Sequence, residues 1–133
     1  MVDFTSRLGR RINRRLRHEK IIWLTTVDVR HRPQPRPVWF HWDGQTVLIF
    51  SESNTAKLRH IPRNPGVALN FNTDEDGDNV SVLIGEAKIL SDPVPSARVK
   101  AYLRKYKQGM KDIGMTAAFA VPILVTPKEM RGF

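Results

Sequence analysis

The chain has 133 residues, a length suited to one compact domain, so we expect a single domain over residues 1–133. It contains no cysteine, which excludes disulfides, thiolate metal sites and cysteine nucleophiles, and its four scattered histidines predict no metal site. Its 22 lysines and arginines outnumber 13 acidic residues, and the net charge of +9 favours an anionic ligand or partner. Because no apolar run approaches the roughly 20 residues of a membrane span, and no signal-peptide core follows the first arginines, we expect a cytoplasmic protein.

Residues 1–19 predict a basic amphipathic helix. Apolar side chains recur every four positions, at Phe4, Leu8, Ile12 and Leu16, and arginines fill the other faces. Such a helix is either a solvated scaffold element or an arm that gathers anions, and the pattern leaves both open.

The next segments predict strands. Residues 21–27 are rich in β-branched and aromatic side chains, which indicates a buried first strand. Residues 34–42 and 46–51 flank an Asp43-Gly44 turn and predict a hairpin. Its first strand carries Pro35 and Pro37, with Pro33 just before it, and proline cannot donate to a strand ladder. One edge of this strand must therefore be unpaired or face a ligand.

A short helix is predicted at residues 56–61. Asn54 or Thr55 is expected to cap it, and Pro62 and Pro65 are expected to end it. Backbone N–H groups and the amine of Lys57 would then lie together, which is a pattern typical of an anion site.

The rest of the chain predicts two strands, a helix and a last strand. The strands span residues 66–72 and 80–90, with an acidic loop between them and a bulge or bend at Gly85. A peripheral helix over residues 92–112, starting at Asp92-Pro93, would bury Val99, Leu103, Tyr106 and Met110 and expose Lys100, Arg104, Lys105 and Lys107. Residues 117–125 are apolar on both faces, so this strand should lie inside a sheet or a subunit interface. These elements describe a mainly β (α+β) fold, a six-stranded antiparallel barrel with peripheral helices.

The motifs of common enzyme classes are absent from the sequence. There is no glycine-rich nucleotide-binding motif, no His-Glu-x-x-His and no Gly-x-Ser-x-Gly. His41 and His60 have no carboxylate or serine partner at a recognisable spacing, so no catalytic residue is assigned. An enzyme of this kind would depend on a cofactor for its chemistry.

An ordered set of motifs covers about residues 20–91, with a looser match over residues 116–133. It comprises Trp23-Leu24-Thr25-Thr26, the segment 33–40 around Arg36-Pro37-Val38-Trp39, residues 51–61, Asn64-Pro65 and Gly85-Glu86-Ala87. The set resembles the split β-barrel flavin and deazaflavin oxidoreductases, which are pyridoxamine 5′-phosphate oxidase-like and FMN-binding, and in particular those that use the deazaflavin coenzyme F420.

The resemblance implies a homodimer of split β-barrels with cofactor sites at the interface. The residues that would run beside the tricyclic ring are Gln34, Arg36, Pro37, Val38 and Trp39. Those that would hold the phosphate are Ser51, Thr55, Ala56 and Lys57. Asn70 and Asn72 would reach the ring or the ribityl chain, and the second subunit would contribute residues 79–82, which include Val80.

The sequence departs from the family pattern at three places. It has Val29-Arg30-His31-Arg32 where many relatives have an Asp-Gly turn, and His60 where they have asparagine. It ends at Arg131-Gly132-Phe133 without the long C-terminal segment that true pyridoxamine phosphate oxidases use, so we do not expect oxidation of vitamin B6.

The resemblance predicts an F420-dependent oxidoreductase that transfers a hydride between the reduced cofactor and a small organic substrate. The alternatives are an FMN-binding flavoprotein and a cofactor-binding protein without a substrate of its own. The positive charge favours F420, which carries an oligoglutamate tail beyond its phosphate, and predicts a basic groove from Lys57, Arg59 and Arg63 toward the arginine helix. A nucleic-acid-binding barrel that stacks bases on Trp23, Trp39, Phe40 and Trp42 is a further alternative, but we expect neither a nucleic-acid nor a membrane partner.

Overall fold

The computed structural model describes residues 2–106 and 120–133. Within these residues the chain forms three α-helices and seven β-strands. The helices are α1 (Arg7–His18), α2 (Lys57–Arg63) and α3 (Ser96–Lys105). The strands are β1 (Ile22–Val27), β2 (Pro33–Val38), β3 (His41–Trp42), β4 (Val47–Ser51), β5 (Gly66–Asn70), β6 (Ser81–Ile89) and β7 (Val121–Gly132).

The strands form one antiparallel sheet in the order β2-β1-β5-β6-β7-β4-β3. Its two edge strands, β2 and β3, follow one another in the chain, so the sheet curls until its edges approach each other. This confirms the predicted mainly β split barrel, with seven strands where six were expected. The extra strand arises because the predicted hairpin is divided: His41 and Trp42 pair with β4, whereas β2 pairs with β1.

Helix α1 closes one end of the barrel. Ile12 and Leu16 are buried in the main core with residues of the strands, as the four-residue spacing predicts. Two of its arginines hold strand ends. Arg11 Nη2 donates to the carbonyl oxygen of Val80 (2.6 Å), and Arg15 donates to those of Asn72 (2.6 Å) and Asn79 (2.8 Å). Arg11 and Arg15 therefore belong to the scaffold.

Helix α3 covers the outer face of β4. Tyr102 and Tyr106 form a second buried cluster there with Leu48 and Phe50. The helix begins at Ser96, four residues later than predicted, after Pro95 at its N-cap position. Met110 and Lys107 of the predicted helix lie outside the described residues.

The prediction that Lys105 is exposed is wrong. Its Nζ donates to the carbonyl oxygen of Phe40 (2.9 Å) and lies 3.5 Å from the centre of the Phe40 ring. Burial lowers the pKa of this amine to about 8. The periodicity that marked Lys105 as solvent-facing does not reveal that the chain at Phe40 passes over this side of the helix.

Strands β6 and β7 form the longest pair of the sheet. The bulge expected at Gly85 is confirmed between Ile84 and Gly85, where a Cβ on the glycine would lie 2.5 Å from the carbonyl oxygen of Thr126. Strand β7 lies between β6 and β4, which confirms that it is inside the sheet. It continues to Gly132, beyond the predicted end at residue 125, because β6 offers partners along that whole length. Residues 117–119 of the predicted strand lie outside the described residues, and β5 ends two residues earlier than predicted.

None of the described helices is both long and apolar enough to cross a membrane.

Candidate cofactor site

Strand β2 is an edge of the sheet. It pairs with β1 through Pro35 with Thr25, Arg36 with Leu24 and Pro37 with Trp23. In the described part of the chain no strand pairs with its other edge. This confirms that the proline-rich strand has an unpaired side, and two clefts open along it.

The first cleft, here called the cationic cleft, has a volume of about 350 Å³. Its lining is Leu24, Thr26, Gln34, Arg36, Pro37, Thr55, Ala56, Lys57 and His60, and includes no acidic residue. The amine of Lys57 is half-buried, and burial and then the nearby Arg36 charge lower its pKa, while Glu52 opposes the shift. Two cations without an anion between them make this cleft attractive to a negatively charged ligand.

The second cleft, here called the aromatic cleft, has a volume of about 370 Å³ and shares Pro37, Thr55 and Lys57 with the first. Its other lining residues are Ile21, Val38, Trp39, Phe50, Ser51, Glu52 and Tyr102. The Trp39 ring is stacked on that of Tyr106, with centroids 4.6 Å apart and planes 3° apart. The Tyr106 hydroxyl is in turn anchored to the carbonyl oxygen of Lys20 (2.6 Å). Because Tyr106 supports one face of the Trp39 ring, that ring is a rigid surface on which a flat apolar group can stack.

Hydroxyl groups lie where the two clefts meet. Ser51 Oγ and Thr55 Oγ1 are 2.6 Å apart, and Ser51 also donates to the carbonyl oxygen of Glu52 (3.0 Å). The prediction that Asn54 or Thr55 caps α2 is wrong: Ala56 occupies the N-cap, and no side chain makes the capping bond. The Thr55 hydroxyl is engaged by Ser51 instead. The helix also continues past Pro62 and ends at Arg63.

A buried carboxylate, that of Asp28, orients the Gln34 side chain, which lines the cationic cleft. Asp28 accepts hydrogen bonds from the backbone N–H groups of Arg30 (2.9 Å) and Arg32 (3.0 Å), from Arg32 Nε (2.9 Å) and from Gln34 Nε2 (3.1 Å). These bonds, chiefly that from the Arg32 backbone, lower the pKa of Asp28 to about 2. His31 takes a φ of 61° in this turn. The turn therefore holds the Gln34 side chain in place.

The structure brings most of the predicted site residues together. Nine of them line the two clefts: Gln34, Arg36, Pro37, Val38, Trp39, Ser51, Thr55, Ala56 and Lys57. Asn70, Asn72 and Val80 do not line either cleft. Asn72 Oδ1 accepts a hydrogen bond from Trp23 Nε1 (3.0 Å), and the Val80 carbonyl oxygen is bound by Arg11.

Sequence reasoning did not assign seven of the lining residues to the site: Ile21, Leu24, Thr26, Phe50, Glu52, His60 and Tyr102. His60 follows Lys57 by three positions on α2, which places both side chains on one helix face and was a usable signal. Thr26 continues the inward alternation of Ile22 and Leu24. Tyr102 reaches the aromatic cleft from α3, and nothing in the sequence links it to β2. Burial raises the pKa of its hydroxyl, and the Phe50 backbone opposes the shift.

Comparisons with known proteins agree with this architecture. The profile of the pyridoxamine 5′-phosphate oxidase family matches residues 8–129. No curated protein sequence matches the chain. Among solved structures, a candidate pyridoxamine 5′-phosphate oxidase from Listeria innocua is 24% identical, with a TM-score of 0.72 over 92% of this chain and 94% of that one. An F420 reductase is 26% identical, with a TM-score of 0.66 over 87% of this chain and 92% of that one.

A structure named for a different ligand shares the fold as well. HutZ, a heme storage protein of Vibrio cholerae, is 14% identical, with a TM-score of 0.74 over 96% of this chain and 95% of that one. The family profile covers nearly the whole barrel and both sides of the clefts. The chain belongs to the pyridoxamine 5′-phosphate oxidase family.

Proposed function

We propose that the protein is an oxidoreductase that binds the deazaflavin coenzyme F420 and transfers a hydride between the reduced coenzyme and a small organic substrate. The observation that carries the proposal is the pair of clefts that meet at Lys57. One is built on a stacked aromatic platform, and the other is lined by cations without an acid. A ligand that fills both is flat and apolar at one end and anionic at the other.

The residues of β2 and α2 have different tasks in this proposal. Pro37, Val38 and Trp39 place the ring along the unpaired strand edge, and Ser51, Thr55, Ala56 and Lys57 hold the phosphate. The bound deazaflavin supplies the hydride chemistry. The protein contributes orientation and exclusion of water, since a fixed contact between ring and substrate replaces a search in solution.

The cationic cleft favours F420 over FMN. It extends past the Ser51–Thr55 junction to Gln34 and Arg36. FMN ends at its phosphate, whereas F420 continues into an anionic tail that this extension would accommodate. Similarity to an F420 reductase at 26% identity supports the same choice. FMN remains the alternative cofactor.

The proposal includes a homodimer, which gives the three unplaced residues a role. Asn70 lies on β5 next to Trp23 of β1 and Val82 of β6 in the sheet. Four side chains on this outer face, those of Trp23, Ala68, Val82 and Ile84, are apolar and half-buried. A second copy packed on this face would bring Asn70, Asn72 and Val80 to the partner's clefts, as the family resemblance implies.

The test is a titration of the purified protein with F420 and, separately, with FMN, followed by cofactor fluorescence. We expect F420 to bind at least about tenfold more tightly than FMN. Lys57→Met should weaken F420 binding by about tenfold or more, because one charge-assisted contact to phosphate is lost. Lys128→Met is the matched control, since Lys128 is exposed and lines neither cleft.

Three outcomes would change the proposal. If FMN binds more tightly than F420, FMN is the cofactor. If neither binds, the cofactor site is refuted. If F420 binds but its reduced form is not oxidised by any of a panel of small organic acceptors, the protein would be a cofactor-binding protein without its own substrate.

A further inference from the structure

Thr26 and His60 form a hydrogen-bonded pair in the wall of the cationic cleft. Thr26 Oγ1 lies 2.8 Å from His60 Nδ1. Thr26 is only 2% exposed, so its hydroxyl is removed from water. Both residues line the cleft beside Arg36 and Lys57. The function proposed above does not use this pair.

The burial of Thr26 decides which nitrogen of His60 carries the proton. A buried hydroxyl is stable only if its proton has an acceptor. Within residues 2–106 and 120–133, the partner observed for this hydroxyl is His60 Nδ1. Thr26 therefore donates to Nδ1, and the neutral imidazole carries its proton on Nε2. The remaining ring nitrogen of His60 is thus a donor.

The backbone holds His60 in place from both sides. Its N–H donates to the carbonyl oxygen of Ala56 (3.1 Å), and its own carbonyl oxygen accepts from the N–H of Asn64 (2.9 Å). The next residue, Ile61, is buried in the main core. With its backbone in α2 and Nδ1 bound to Thr26, the ring has little freedom to turn away.

The surroundings of His60 suit an oxyanion. Lys57 and His60 share one face of α2, and Arg36 comes from β2. No acidic side chain lines this cleft to compete for their protons. A phosphate group offers several acceptor oxygens, more than the Lys57 amine alone can engage.

We propose that His60, held by Thr26, donates a hydrogen bond from Nε2 to the phosphate group of an organic phosphate in the cationic cleft. His60 is the binding residue and Thr26 is the positioning residue. The identity of the organic phosphate rests on the proposed function, but the phosphate contact does not. The pair thereby gives the cleft a selectivity for phosphorylated ligands beyond that of its two cations.

The test compares each phosphorylated cofactor with its phosphate-free fragment, F420 with the deazaflavin riboside and FMN with riboflavin. His60→Leu should weaken binding of the phosphorylated member about tenfold and leave the phosphate-free member unchanged. His18→Leu, an exposed histidine at the end of α1, is the matched control and should change neither. Equal weakening of both members by His60→Leu would overturn the proposal, because it would indicate a general loss of structure.

Substitution of Thr26 tests the positioning. Thr26→Val keeps the shape and removes the hydroxyl, so it should weaken phosphate-dependent binding about three- to tenfold, and Thr26→Ser should restore it. In the His60→Leu background Thr26→Val should have no further effect, whereas additive losses would refute the coupling. Thermal unfolding of each variant identifies those that fold. If Thr26→Val does not fold, the comparison of His60→Leu with Thr26→Ser takes its place.

Calorimetry with inorganic pyrophosphate separates this inference from the proposed function. If the protein binds pyrophosphate but no cofactor, and His60→Leu weakens the pyrophosphate, the proposed function fails and the role of His60 stands. If cofactor binds but His60→Leu changes neither pyrophosphate nor cofactor affinity, the role of His60 fails alone. If neither pyrophosphate nor a cofactor binds, both the proposed function and the role of His60 are overturned.

Discussion

Lys57 determines the pH range over which the cationic cleft attracts an anion. Burial and the Arg36 charge lower the pKa of its amine in the free protein, and a bound phosphate would raise it again. Affinity should therefore be full below the pKa of the free protein and fall as the pH rises from that pKa toward the pKa of the bound state. Cofactor titration between pH 7 and pH 10 checks this. Lys57→Met should bind weakly with a flat profile over the range, and a parallel decline in that variant would contradict the assignment to Lys57.

Asp28 links the stability of the turn before β2 to pH. Its pKa is lowered to about 2, against an ordinary value near 3.8, because the folded turn donates hydrogen bonds to the carboxylate. A carboxyl group whose pKa is lower in the folded than in the unfolded protein stabilises the fold at pH values above its unfolded pKa. This stabilisation is lost as the pH falls through its folded pKa. We expect the difference in unfolding free energy between the natural protein and Asp28→Asn to be constant above pH 5 and to shrink toward pH 2. Urea denaturation at each pH measures it, and a constant difference down to pH 2 would show that the charge is not what stabilises the turn.

Single residues show why the sequence revealed only part of the site. Lys57 lies in the wall of both clefts and the prolines lie on an edge strand, and each has a local physical signature, a cation beside a helix start or a missing N–H. Tyr102 and Lys105 have no such signature. Their environment depends on how α3 lies against β4 and Phe40, and a helical period of apolar residues does not encode that packing.

At the level of elements, α1 divides its arginines between the fold and the surface. The Arg15 guanidinium bridges the carbonyl oxygens of Asn72 and Asn79, pairs with Glu19 and lies 4.8 Å from the centre of the Phe71 ring. Arg14, the neighbouring residue, is exposed. Helical periodicity predicts which face carries charge, but it does not distinguish an arginine that binds strand ends from one in solvent.

This difference predicts unequal effects of the same substitution. Arg15→Met should lower the unfolding free energy by roughly 2 kcal/mol, because two strand-end carbonyl oxygens lose a charged donor and the Phe71 ring loses its cation. Arg14→Met should change it by less than about 0.5 kcal/mol, as is usual for surface positions. Urea denaturation of both variants at neutral pH is the measurement. A loss in Arg14→Met as large as in Arg15→Met would mean that total charge, and not these contacts, governs stability.

The boundaries of the elements were harder to predict than their order. The helix and strand succession, the bulge at Gly85 and the buried last strand follow from composition and periodicity. The division of the predicted hairpin into β2 and β3 does not, since β2 pairs with the preceding strand β1 whereas β3 pairs with β4. The same pairing leaves the far edge of β2 open. The open edge that shapes the site thus results from a hairpin between consecutive strands, and the prolines of β2 indicate it in the sequence.

At the scale of the whole molecule, the proposed homodimer would give a role to the open edge of β2 and to Asn70 on the outer face. The two clefts suit the proposed ligand, which is anionic and has a flat ring, and the proposed homodimer would add residues 79–82 of the second subunit to them. The half-buried apolar side chains on β1, β5 and β6 lie on one continuous face. A homodimer would cover that face and complete two sites at once.

Disruption of the outer face should therefore abolish dimer and cofactor binding together. Val82→Arg places a charge at the centre of the face, next to Asn70 and Arg131 in the sheet, and should convert the protein to a monomer. Thr73→Arg, in the exposed loop between β5 and β6, adds the same side chain and should change neither property. Light scattering after size exclusion gives the mass, and fluorescence titration gives the affinity for F420. A monomeric natural protein, or a Val82→Arg monomer that binds F420 as tightly as the natural protein, would show that each protomer builds its site alone.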